Sequence, residues 1–565
     1  MDANDIDKEE PFNSIRFTEY LKIGDSQYQM NDIDSAIKSY FSALKIDKTH
    51  YNILLNIYSL FCTTKISNAN KEVMKEICLF FLNQQNICHQ FCFENSLKLT
   101  IYNENKDYIK NNKLNKCYKF DDKLITILND IILQLILKRC LVVDFDLELF
   151  LTQIRKNLLE IYTSKKKSAI KKIYKFLICF AEQCFFNEYI FKSTKKEEKL
   201  LSKIEHSLYN KQKIDEYDLL LISLYKPIGS LNFLNNQLSS YHSESKDFEN
   251  YLKFTYRNSK YEHLLGNEIK EISKINNKKS LLIKNQYEEN PYPRWRTTYL
   301  SEKKDLNDFI YEETNNYFND LDLEKKKILI AGCGTGQQIL NYSGINDIDI
   351  FAIDISKTSL TYAKRMTDQY KIQNIKYFQI DLLNIDLLKE SFDMIICTGC
   401  LHHMEKPFEG LKSLYKVLKP NGFLKLGLYS TMARSSISWV RDYIKKLDLD
   451  FKKENISKIR EKIASSKNYK LKRISQAPDF YSTSNFRDLI FNKIEHTFNL
   501  IEIENEILKL NLRFNGFDIN SDHLQKFKDS YSEYNSELNL KYWNDFEIQF
   551  PRTFISMYRF WVSKL

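Results

Sequence analysis

Residues 328–336 read ILIAGCGTG: four apolar residues run directly into three alternating glycines, Gly332, Gly334 and Gly336. The chain uses glycine sparingly, with only 12 in 565 residues, so three within five positions mark a backbone that has to stay bare. A buried strand ending in a glycine turn is how open α/β sheets present a loop to a nucleotide-like ligand. The string alone would equally suit a plain strand–turn–helix junction, and the chain around it decides.

Apolar runs of strand length at 328–331, 348–353, 375–380, 392–397 and 423–429 alternate with helical patterns at 336–342, 357–370 and 406–418. Such alternation predicts a parallel sheet covered on both faces. Ligands of these sheets sit beyond the carboxyl ends of the strands. The first strand end carries Gly332-Cys333-Gly334-Thr335-Gly336, whose glycines let a loop pass close to a ligand while the helix start behind it offers N–H groups to an anion. The second carries Asp354 and Ile355, where a carboxylate can accept both hydroxyls of a ribose. Asp354 also suits a helix N-cap, shared with Ser356. The third carries Asp381 and Leu382, placed for an adenine amine and ring face. The fourth carries Cys397, Thr398, Gly399, Cys400, Leu401, His402 and His403, where the reacting end of the ligand would lie.

In that order, the motifs AGCGTG, FAIDIS, FQIDLL, FDMIICTGCLHHM and VLKPNGFLKLGLYS resemble a class I S-adenosylmethionine-dependent methyltransferase over residues 325–429. The resemblance implies a Rossmann-like, seven-stranded domain. It implies contact of Gly332, Cys333, Gly334 and Gly336 with the methionine part of the cofactor, of Asp354 and Ile355 with ribose, of Asp381 and Leu382 with adenine, and of Thr398 with the reacting end. A dehydrogenase would show G-x-G-x-x-G, whereas here the glycines alternate and Gln338-Ile339 follow. Strands six and seven are expected at 512–519 and 553–562, the latter antiparallel beside strand six. The helical stretch 431–500 exceeds what the sheet needs and is read as an acceptor-binding lid.

Ahead of the sheet stands residues 285–296, NQYEENPYPRWR, whose two prolines exclude an ordinary helix interior. In the family, segments placed here fold over the cofactor. Arg294 is expected to reach the methionine carboxylate in a two-bond pair, and Trp295 to shield the sulfonium. The competing reading is a rigid packing linker.

Only Gly24, Gly229 and Gly266 precede residue 320, which predicts an all-α front. In residues 21–47, Gly24, Ala36, Tyr40 and Ala43 fall where a tetratricopeptide repeat places its packing residues, and the unit resembles that family. Combined with NPYPRW and the sheet, the domain order is similar to bacterial tetratricopeptide-repeat methyltransferases of undefined substrate. The expected layout is a repeat-like region at 1–120, a helical domain at 121–240, a linker and cofactor-covering segment at 241–324, and the methyltransferase domain at 325–565.

An apolar share of 43% excludes general disorder, and a net charge of +10 from 84 basic and 74 acidic residues permits an anionic partner without demanding one. The basic run 165–172 reads as a solvated helix face, and the apolar stretch 124–143, interrupted by Asp130, Gln134, Lys138 and Arg139, as a buried helix and not a membrane span. Eleven scattered cysteines and an acidic opening suggest reduced thiols and a cytoplasmic protein. Methyl transfer needs alignment and exclusion of water, and a base only for a protonated acceptor. His402 and His403 are the candidate bases, followed by Glu495 and His496 in the lid. A zinc site at Cys397 and Cys400 is disfavoured, since that strand end serves the cofactor, and no metal is expected. Cys397-Thr398-Gly399-Cys400 stands where adenine- and glutamine-methylating enzymes carry Asn/Asp-Pro-Pro-Tyr, which argues against a nucleic-acid base as acceptor. Two classes follow: a methyltransferase on a small molecule or on a protein brought by the helical front, and a scaffold whose methyltransferase fold only binds.

Overall fold

A shortage of glycine leaves the front few ways to turn other than between helices. In the computed structural model, which describes residues 3–48, 50–112, 118, 120–163, 168–211, 214–314, 326–555 and 557–565, that front is built from helices. The chain divides into two units. One comprises Met1–Phe185, Ser193–Tyr251 and Arg296–Thr298; the other comprises Phe186–Lys192, Leu252–Trp295 and Tyr299–Leu565.

In the first unit, the helices Ala3–Gln29 and Ile33–Ile46 form a hairpin. A Cβ on Gly24 would lie 2.7 Å from the Tyr40 ring, so only glycine lets that ring fill the groove. The Tyr40 hydroxyl donates to Asp25 at 2.8 Å, while Ala36 and Ala43 are wholly buried. This is the packing expected of a repeat-like pair, followed by the helices Tyr51–Thr63 and Lys71–Asn83. The apolar stretch 124–143 forms two helices, Asp122–Leu128 and Ile131–Arg139, because Asp130 caps the second through the Ile132 N–H and ends the run. Among the described residues no helix is long and apolar enough to cross a membrane. Of the basic run, residues 165–167 lie outside the described residues, and Lys171 and Lys172 are exposed. Arg296 pairs with buried Glu182 at 2.6 Å, and Thr297 bonds to His89, which fixes residues 296–298 in this unit.

Parts of the expected linker are helix. Lys246–Leu252, Asn258–Leu265 and Lys278–Glu289 are helical; Phe248 and Tyr251 of the first are fully buried, while the other residues of 243–250 keep at least partial exposure.

The second unit holds the sheet: β1 (Lys270–Glu271), β2 (Lys326–Ala331), β3 (Ile348–Asp354), β4 (Ile375–Gln379), β5 (Phe392–Thr398), β6 (Leu418–Tyr429), β7 (Leu512–Phe517) and β8 (Met557–Lys564). Their order is β1-β4-β3-β2-β5-β6-β8-β7. The neighbours from β1 to β6 pair in parallel, whereas β8 runs antiparallel to both β6 and β7. This is a Rossmann-like α/β sheet with one strand more than expected, the two-residue edge strand β1. The chain crosses from one side of β2 to the other between β4 and β5, which makes the end of β2 the switch point. Alternation along the strands feeds two cores. Leu329, Phe351, Ile353 and Ile395 face one, and Ile328, Ile330, Ile350 and Met394 face the other.

The first of those cores closes on Trp543, fully buried and stacked on Phe527 at 3.7 Å. All four tryptophans belong to the second unit, so their fluorescence reports on it alone. Trp543→Ala should lower the stability seen in denaturant unfolding by about 3–5 kcal/mol. A fluorescence midpoint unchanged from that of the parent would contradict this packing.

Candidate active site

The β2 end turns through Gly332, Gly334 and Gly336 at φ +68°, +52° and +83°, a region that side chains resist. Space forbids side chains as well. A Cβ would lie 2.6 Å from Cys400 Cβ at Gly332, 2.9 Å from the Tyr292 carbonyl at Gly334, and 2.6 Å from Ala363 Cβ at Gly336. The Gly332 and Cys333 N–H groups both donate to the Ile353 carbonyl at 2.9 Å, which ties the loop to the end of β3. The following helix, Gln337–Tyr342, is short, so the loop backbone and not a long helix dipole shapes the site.

At the end of β3, Asp354 accepts the Gly334 N–H at 2.9 Å and the Ser356 N–H at 2.8 Å. Ser356 takes the N-cap role on the helix Lys357–Gln369, leaving Asp354 to the loop. Burial pushes the Asp354 carboxyl up to about 6, against the pull of those N–H groups. Ile355, half-buried, gives its carbonyl to the Gln379 amide at 3.0 Å. At the end of β4, Asp381 is buried and caps the following turn through the Leu383 N–H at 3.1 Å, with Leu382 buried beside it. At the end of β5, Thr398 receives a hydrogen bond from the Gln338 side-chain amide, whose oxygen is buried without a partner. Gly399 stands at φ +82° with nothing within 4 Å of where its Cβ would be. The glycine loop, the Asp354 carboxylate, an orphaned amide acceptor and open space at Gly399 all face the strand ends. That donor and acceptor set fits a nucleoside with a polar amino-acid tail. Sequence reasoning passed over Gln338, whose signal was its position directly behind the glycine loop.

The proline segment grips the loop from outside. The Trp295 indole N–H donates to the Thr335 carbonyl at 3.0 Å, the Thr335 hydroxyl donates to the Pro293 carbonyl, and the Tyr362 hydroxyl donates to the Trp295 carbonyl. Trp295 packs on Leu340, Tyr362 and Met366, so its ring lies in a small core of its own. Arg294 pairs with Glu188 at 3.2 Å, a residue of the 186–192 segment that also accepts the Ser484 N–H at 2.6 Å. The helix Tyr174–Phe186 ends at the start of that segment, with Glu188 and Tyr189 in the left-handed region. Glu288 accepts the Lys357 and Thr358 N–H groups at 2.8 and 3.0 Å and so caps the helix behind Asp354.

His402 and His403 are buried beyond β5. The His402 ring stacks on Tyr429 at 3.7 Å, and neither ring nitrogen has a hydrogen-bond partner. Burial drives its pKa well below the ordinary value, and the nearby charge of His403 and Arg434 adds to this. His403 donates through Nδ1 to the Ile494 carbonyl at 2.8 Å. In the insertion, Glu495 is held by Arg434 at 2.8 Å and Arg441 at 3.0 Å. The His496 N–H donates to the His402 carbonyl at 2.8 Å, which joins the insertion to the β5 end.

Trp295→Phe keeps the buried ring and removes the bond to Thr335. It should weaken nucleoside binding by roughly fivefold, the worth of one hydrogen bond, with little loss of melting temperature, whereas Trp295→Ala should lower melting temperature outright. Calorimetry and thermal unfolding of both variants check this.

Residues 329–426 match the family model of a methyltransferase domain. A protein of Synechococcus sp. is 35% identical over 124 residues, covering 22% of this chain and 30% of its own length. A methyltransferase-like protein of Schizosaccharomyces pombe is 30% identical over 117 residues, covering 21% of this chain and 43% of its own. The chain thus spans less than half the length of these curated relatives. The solved structure of PKMT2 from Rickettsia typhi in complex with AdoHcy covers 45% of this chain and 51% of its own at 18% identity and a TM-score of 0.35. Residues 329–426, with the strand ends of β2 to β5 and their loops, are a methyltransferase domain.

Proposed function

We propose that this chain is an S-adenosylmethionine-dependent methyltransferase whose helical front brings the acceptor, a protein or a small molecule, in the cytoplasm. The observation that supports it best is the pairing of Gly334 with Asp354. One contact fixes the loop that meets the methionine part and orients the carboxylate that takes the ribose.

When bound, the cofactor supplies a methyl group on a sulfonium that is already a good leaving group. Asp354 accepts the two ribose hydroxyls with the lone pairs that Gly334 and Ser356 leave free. The buried Gln338 oxygen accepts from the ammonium of the amino-acid tail, while Thr398 orients that amide. Leu382 covers the adenine face. Trp295 and residues 292–293 keep the loop closed, which excludes water from the reacting end. Intact glycines and both strand-end acids favour an enzyme over a scaffold.

Calorimetry with S-adenosylhomocysteine tests the reading. The parent should bind it and should not bind NAD tightly; the reverse result would sink the proposal. Asp354→Ala should weaken binding by roughly tenfold or more, since hydrogen bonds to a charged acceptor are at stake. The free carboxyl titrates near 6 and binding requires it ionised, so affinity should fall as pH drops below about 6 and level off above it. Asp354→Asn should flatten that dependence.

A further inference from the structure

Beyond the cofactor loop, the insertion places Asp479 and Asp488 among tyrosines near the β5 and β6 ends. We propose that these two carboxylates, with the hydroxyls of Tyr287 and Tyr292, seat a cationic amine, so that the methyl acceptor is an amine nitrogen arriving as an ammonium. The proposal rests on the methyltransferase reading above.

Geometry supports it first. The Tyr287 hydroxyl and the Asn492 amide both donate to Oδ1 of Asp488, at 2.7 and 2.8 Å, so that among the described residues Oδ2 carries no hydrogen bond. The Tyr287 ring meets His403 edge-on at 6.5 Å, which puts this cluster against the β5 end. Tyr292 lies beside Asp479, whose charge, ahead of burial, raises the tyrosine's pKa. Tyr287, Tyr292 and Asp479 all keep some accessible surface although the protein desolvates them. Gly399 leaves open space at the same strand end.

A balance of charge points to the sign of the occupant. The groups facing the cluster are Tyr287, Tyr292, Tyr429, Arg434, Glu495, His402 and His403. Arg434 lies on the Tyr429 ring at 3.7 Å and is committed to Glu495, which also holds Arg441. Arg487 is taken by Glu289 and the Asn290 side chain, each at 2.6 Å. His402, wholly buried and neutral, leaves both ring nitrogens unpartnered while lying on Tyr429, a tyrosine in the field of both aspartates. One glutamate between two arginines leaves one positive charge, which reaches Asp479 through Arg434 without an ion pair, so the two aspartates still hold one negative charge in excess. Burial and the neighbouring Asp488 push Asp479 up to about 6. A carboxylate or phosphate acceptor would meet like charge here, whereas an ammonium supplies both the missing charge and three donors.

The step balances. One ammonium proton passes to the Asp479 carboxylate and frees the nitrogen lone pair. That pair forms the N–C bond as the C–S bond breaks, and the leaving electron pair stays on sulfur. The product is the methylated ammonium, and Asp479 returns its proton to water.

Sinefungin is a probe that needs no knowledge of the acceptor, because it carries an amine where the sulfonium methyl stands and so directs an ammonium at the acceptor seat. Calorimetry on the full chain should find sinefungin tighter than both S-adenosylmethionine and S-adenosylhomocysteine by roughly tenfold or more. Asp479→Asn and Asp488→Asn should each erase that advantage and leave S-adenosylhomocysteine affinity unchanged. Sinefungin no tighter than S-adenosylhomocysteine in the parent overturns the proposal, and this comparison decides even where a variant does not fold. An equal fall for S-adenosylmethionine and sinefungin in the variants also overturns it, assigning the acids to the sulfonium instead. If the parent binds none of the three, the methyltransferase reading itself fails, and the proposal with it.

Discussion

Gly334 is held from both sides. Its N–H is bonded to Asp354 and the Tyr292 carbonyl stands 2.9 Å from where a side chain would begin. A left-handed residue with no room for a Cβ can be nothing but glycine, and the constraint spreads outward from it. Asp354 is held at the strand ends because Gly334 and Ser356 fix its two oxygens. Residues 292–295 lie where they do because Thr335, next to Gly334, bonds to both Pro293 and Trp295. Glu288 in turn caps the helix that begins behind Asp354. Loop, acid and strap form one interlocked piece, in which no member keeps its geometry without the others.

That piece also explains why the proline segment reads so ambiguously as sequence. Prolines beside an arginine and a tryptophan suit a lid, and equally a rigid packing linker. The structure gives the segment features of each. Its carbonyls and indole shape the binding loop, while the Trp295 ring is spent on a core with Leu340, Tyr362 and Met366. Arg294 turns toward Glu188, from a stretch more than a hundred residues upstream. No local pattern announces a partner so distant in sequence.

The parallel strands and their terminal residues were legible because each βα unit is a local object, with its apolar run, turn and acid within reach of one another. The antiparallel β8 was expected from the family resemblance, which places such a strand beside strand six. What escaped reading was non-local. β1 is two exposed residues, Lys270 and Glu271, that become a strand only because β4 offers an edge. The helices of the 241–324 stretch draw their burial from elsewhere, as Phe248 and Tyr251 show. Asp479 and Asp488 stood in a segment already read as an acceptor lid, yet ordinary loop and helix acids look the same until Tyr287 and Tyr292 are brought against them.

The electrostatics of that cluster bear on how protons move. Burial and the neighbouring Asp488 raise the Asp479 carboxyl to about 6, so a cation beside the pair relieves the cost of its charge. The histidines offer no relief. His402 is kept neutral by burial and by the charge of His403 and Arg434, which makes it a poor proton acceptor despite its position beyond β5. Glu495, the other acid at hand, is neutralised by two arginines that hold it as structure. The raised carboxyl of the cluster is that of Asp479, and the imidazoles contribute shape: His402 as a plate on Tyr429, and His403 as a link to the Ile494 carbonyl that anchors the insertion.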